Sequence, residues 1–221
     1  PGGLRSGAPS GGGERRIAVL GDGVDMGLGV PAPDAYPALL DARLGDTTVT
    51  NAAAPWYGIA DSYRMADRLM NTTDPDVLVL SLEAEDVVSA AKYRGYIKDA
   101  SERFPEASRQ VWRRIADTRR LERVDAVPDR IADNASVLQE YLARFRGLER
   151  RTGVSVVVLS VTHSHHVPGP VEAAGLRYIG QPPALEGAYP DLRLSADGPY
   201  LDREGHRAVA RFLVDRLSTG S

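Results

Sequence analysis

The sequence contains no cysteine among its 221 residues. A disulfide framework, a thiolate nucleophile and a thiolate metal site are therefore all excluded. The absence suits an oxidising or a reducing compartment equally, so localisation stays open. An excess of positive charge is also lacking: 27 Lys and Arg stand against 30 Asp and Glu, for a net charge of −3. That balance argues against a dedicated nucleic-acid binder and for no nucleic-acid partner. No apolar run approaches the ~20 residues that a membrane span needs. Residues 1–13 are rich in Gly, Ser and Pro, with neither an apolar pattern nor the hydrophobic stretch of a secretory signal. They read as a flexible linker ahead of a domain over 14–221. The first residue is Pro1, so the chain reads as a piece of a longer protein, secreted or membrane-anchored.

What is present has the balance of a globular domain, with 43% hydrophobic and 26% charged residues. Four short apolar runs predict strands: 16–20 (RIAVL), 47–51 (TTVTN), 76–82 (DVLVLSL) and 154–161 (VSVVVLSV). Three of them are nearly continuous Val, Leu and Ile, as expected of a parallel sheet covered on both faces. Helical patterns lie between and after them, at 35–44, 59–70 and 129–151, and in a last helix after Asp202, a residue suited to an N-cap. Alternating strands and helices predict a three-layer α/β/α sandwich with a mainly parallel, flavodoxin-like sheet. Residues 92–128 interrupt the alternation. Within 92–123, ten Lys and Arg face five Asp and Glu. This segment reads as a charged helical insert, and an anionic partner is the ligand such a surface would attract.

In α/β sheets ligands bind beyond the carboxyl ends of the strands. After the first strand comes Gly21-Asp22-Gly23, with Asp25 and Gly27 close behind. It superficially matches a dinucleotide loop. That loop needs a helix to begin at once, and Pro31 and Pro33 predict that the next helix waits until about Asp34. No cofactor is expected here. After the fourth strand, His163 and His165 alternate in a way that could present two imidazoles to zinc or copper, or simply make a polar loop.

Four blocks in order resemble the SGNH (GDSL-type) hydrolases: IAVLGDGVDMGLG, NAAAPWYGIADSYR, PDVLVLSLEAEDVV and SADGPYLDREGHRAVARFL. The resemblance implies the α/β/α fold of those esterases and acyl-hydrolases, and it assigns a pocket to Asp22, Gly23, Trp56, Glu85, Asp197 and Tyr200. At each decisive position the residue departs from the family pattern. Gly23 stands where the family has its nucleophilic Ser, and it has no hydroxyl to attack an ester. Glu85 stands where the family places an Asn amide, and an ionised carboxylate would repel a developing oxyanion. Tyr200 stands where the family has its His base, with a reference pKa near ~10. The backbone donor of the second block falls at Trp56, or at Ala53 or Gly58 with a small offset.

The expectation is thus a degenerate member with no intact catalytic set and without Ser-dependent esterase activity. It would act as a binding or accessory domain for a carbohydrate or acylated ligand. Two alternatives stand beside it. One is a hydrolase rebuilt on carboxylates or a bound metal, with Asp22, Glu83, Glu85, Asp86 and Asp197 gathered around the old pocket. The other is a docking domain that uses the basic insert, through Arg113, Arg114, Arg119 and Arg120. His206, inside the last helix, is either a packing residue or a replacement base.

Overall fold

The computed structural model describes residues 15–55, 57–82, 134–161, 167–186, 192 and 200–218, with side chains from 137 onward in the 134–161 stretch. Contacts divide the chain into two compact units, Pro1–Asp86 with Leu138–Ser221, and Val87–Val137. The second unit lies almost wholly outside the described residues, and with it the predicted insert at 92–128. The linker over 1–13 lies outside them too.

The first unit is an all-parallel, five-stranded sheet. Its strands are β1 (Arg15–Leu20), β2 (Thr47–Asn51), β3 (Val77–Ser81), β4 (Ser155–Leu159) and β5 (Arg177–Tyr178). Their order across the sheet is β2-β1-β3-β4-β5. Register sets Ile17 beside Val49 on one side and beside Val77 on the other, and Val79 beside Val157. The helices are α1 (Gly23–Met26), α2 (Tyr36–Leu44), α3 (Ile59–Met70), α4 (Asn134–Thr152), α5 (Pro168–Ala173) and α6 (Arg203–Ser218). Short 3-10 turns sit at Ala32–Asp34 and Pro183–Leu185.

Both sheet faces are covered, which is why the central strands need no polar side. All five residues of β3 and the last four of β4 are buried. Ile17, Val19, Val77, Val79, Val157 and Leu159 point to one face, into a cluster with Tyr36 and Leu40 of α2 and Val209, Phe212 and Leu213 of α6. Alternation sends Ala18, Leu20, Leu78, Leu80, Val156 and Val158 to the other face, all buried. The helices α3 and α4 meet through Tyr63 and Phe145, whose rings contact edge-on at 5.3 Å between centroids. The Val156 N–H donates to Glu149 of α4 at 3.0 Å, pinning that helix to β4.

The predicted three-layer fold is present. Two elements differ from expectation. A helix does begin directly after β1: Asp22 caps α1, and the turn stops at Gly27, whose φ of 80° is the left-handed conformation glycine tolerates. The prolines therefore exclude a long helix here, not a short one. The fifth strand was not expected, because two residues, one of them a half-buried Tyr, carry no periodicity. The four long strands lie within a residue or two of their predicted limits.

Candidate functional site

The strand order reverses at β1. The chain leaves β1 for β2 on one side and returns as β3 on the other. A crevice opens at such a switch point, beyond the strands' carboxyl ends. The residues that reach it from β1 are Gly21, Asp22 and Gly23, held as a turn. The Asp22 carboxylate accepts from the Val24 N–H at 2.8 Å, and Asp25 accepts from the Asp22 N–H at 2.9 Å. These reciprocal bonds form a capping box. The Gly21 carbonyl accepts from the Ala54 N–H at 3.2 Å, tying the turn to the segment after β2.

Three of the six predicted pocket positions lie among the described residues, and they come together. A Cβ on Gly23 would stand 3.1 Å from Tyr200 Cε1 and 2.8 Å from Leu28 Cδ1. Leu28 and the edge of the Tyr200 ring therefore together crowd the space into which a side chain at 23 would project. Burial, and then the nearby charge of Asp22, raise the Tyr200 phenol above its ordinary pKa. That places Asp22 within electrostatic reach of Tyr200 and keeps the phenol neutral. Trp56, Glu85 and Asp197 fall outside the described residues, as do Glu83, Asp86, His163 and His165. No group of three His, Asp or Glu that could hold a metal occurs among the described residues.

The two alternatives to Trp56 are described. The Ala53 N–H already donates to Asn51 Oδ1 at 3.1 Å, so it is committed within the loop. Gly58 precedes α3, and its carbonyl accepts from Asp61 and Ser62. His206 sits in the first turns of α6, fully buried. Its Nδ1 accepts from the Tyr36 N–H at 3.3 Å, and its ring stacks on Tyr36 with centroids 6.1 Å apart. The structure thus packs His206 between α6 and α2.

Two residues that the sequence reading passed over complete the arrangement. Asp25 is buried to 1% exposure under the turn. Its Oδ1 accepts from the Tyr36 hydroxyl at 2.9 Å, and Ser81, at the end of β3, also bonds it. Burial, with a smaller push from Asp22, raises the Asp25 carboxyl to about 7 against the lowering effect of its hydrogen-bond donors. The signal was available: Asp22 and Asp25 are spaced as a capping box. Tyr36 follows Ala35 at a helix start and gave no comparable sign.

No family model matches the chain, and no curated protein matches it. Solved structures do. TesA superimposes with a TM-score of 0.60 at 18% identity, over 92% of this chain and 98% of that one. The psychrotrophic esterase EstA from Pseudoalteromonas sp. gives 0.60 at 14%, over 93% and 97%. The acetylxylan esterase Axe2 from Geobacillus stearothermophilus gives 0.54 at 14%, over 92% and 94%. Structures described as lipolytic proteins of the G-D-S-L family also match. The chain therefore has the fold of the SGNH (GDSL-type) hydrolases.

Proposed function

We propose that this SGNH-fold domain lacks Ser-dependent esterase activity and serves as a binding or accessory domain. The observation that carries the reading is the closeness of Tyr200 to position 23, where an added Cβ would stand 3.1 Å from the ring. The position that would bear a nucleophile has no side chain, and the position that would bear its base holds a neutral phenol whose ring edge, together with Leu28, crowds the space a side chain at 23 would need. Neither group can take the Ser or His role in acyl transfer. The ligand class, a carbohydrate or acylated molecule, rests on likeness to esterases such as Axe2, described as an acetylxylan esterase.

The test is hydrolysis of short-chain p-nitrophenyl esters by the purified chain, with and without added divalent metal. The expected result is no turnover above the buffer rate. A variant carrying Gly23→Ser, Glu85→Asn and Tyr200→His should gain measurable activity, since it restores the hydroxyl, amide and imidazole, the smaller imidazole relieves the crowding from the ring, and the flexible end of Leu28 can move aside. Native turnover abolished by Asp197→Asn would overturn the proposal and move the carboxylates into the leading role.

A further inference from the structure

Asp25 has no part in that proposal, yet its carboxyl is fully buried and hydrogen-bonded from several sides. Gly21 leaves room for it: a Cβ there would lie 1.9 Å from Asp25 Oδ2. Three pieces of chain converge on its two oxygens. The Asp22 backbone N–H comes from the turn, the Tyr36 hydroxyl from α2, and Ser81 from the end of β3. The Asn51 side chain of β2 donates to its backbone carbonyl at 3.2 Å. All these donors are neutral, and Asp25 takes part in none of the ion pairs found among the described residues. A fully buried carboxylate without a cationic partner is costly, and taking up a proton relieves that cost.

We propose that Asp25 is a buried proton switch beneath the site: with no cation to offset its charge, the fold that encloses it is more stable when the carboxyl is protonated than when it is ionised. The groups that face it decide the direction. Asp22 adds a like charge and favours the protonated form, whereas the Tyr36 hydroxyl and Ser81 donate to the carboxylate and favour ionisation. His206 is the other titratable ring in the cluster, stacked behind Tyr36. Tyr200, packed against the same cluster, is within reach of the Asp22 charge. A carboxyl that binds its proton more tightly in the folded than in the unfolded chain stabilises the fold fully at pH values below its unfolded pKa. That contribution is lost as pH rises from about 4 toward 7. A buried neutral histidine would give the opposite slope, so the sign separates the two sources.

The experiment is denaturant unfolding of the full chain between pH 5 and pH 8, together with carboxyl NMR of 13C-labelled Asp. The folded-to-unfolded ratio should fall by at least about tenfold across that range in the native protein. In Asp25→Asn most of this fall should vanish. Should that variant fail to fold, two milder ones keep the test open. Tyr36→Phe removes a donor to the carboxylate and should move the neutral-range carboxyl titration to higher pH. Asp22→Asn removes the like charge and should move it to lower pH. A native chain with every Asp titrating in the ordinary carboxyl range overturns the proposal, as does an unchanged slope in Asp25→Asn. These readouts do not involve ester hydrolysis or ligand binding, so their failure would leave the proposed function intact, and the reverse also holds.

Discussion

At Gly21 a single methyl group is more than the turn can hold. Its Cβ would meet not only Asp25 Oδ2 but also Asp25 Cγ, at 2.5 Å. Gly21→Ala should therefore cost about 1–3 kcal/mol in an unfolding experiment, the range for overpacking a filled site. In an Asp25→Ala background the same change should cost markedly less, because the obstructing carboxyl is gone. Equal losses in the two backgrounds would place the strain elsewhere. The residue scale is also where the sequence was both most and least informative. Gly23 and Tyr200 were legible as a pair of departures from a family pattern, and the ring of Tyr200 lies where any side chain at 23 would meet it. Asp25 was not singled out, because a second acid in a polar turn looks solvated until the tertiary fold buries it. Its burial is set by Gly21, Tyr36 and Ser81, which lie at three separated places in the chain.

Elements were readable where each carries its own signal. The helix α6 is the clearest case. Asp202 was expected to cap it, and Asp202 Oδ1 accepts from the Gly205 N–H at 2.8 Å, while its carbonyl accepts from the His206 N–H at 3.0 Å. Asp202→Ala should destabilise the protein by about 1 kcal/mol, the usual loss of an N-cap side chain, and Asp202→Ser should recover most of it. Thermal unfolding of both variants checks this. If the two are equally destabilised, capping is not the source of the loss. The strands β1, β3 and β4 were legible for a related reason: burial on both faces demands continuous apolar runs. The strand β5 and the short α1 were not. The first pairs only Arg177 and Tyr178 with β4, and the second is one capped turn, so tertiary contacts rather than periodicity create both.

For the molecule as a whole, the central strands form a layer in which any deep truncation is felt on both faces. Leu20 of β1 and Leu159 of β4 are each fully buried. Replacement of either by Ala should cost about 2–5 kcal/mol. The order of pairing then separates them in time. The strands β1, β2 and β3 all come from the first 81 residues. The partner of β3 on its other side is much more distant, since Val77 lies opposite Ser155 and the whole stretch between must be closed into a loop before that register forms. Loop closure over so much chain carries an entropic cost before any contact repays it. The N-terminal half of the sheet is thus expected to nucleate folding, with β4 docking afterwards. In stopped-flow refolding, Leu20→Ala should mainly slow folding, and Leu159→Ala should mainly speed unfolding. The chain would then finish the far side of its crevice last, so an early-folded form of this domain would present the Asp22–Gly23 turn before the β4 half of the sheet had closed beside it.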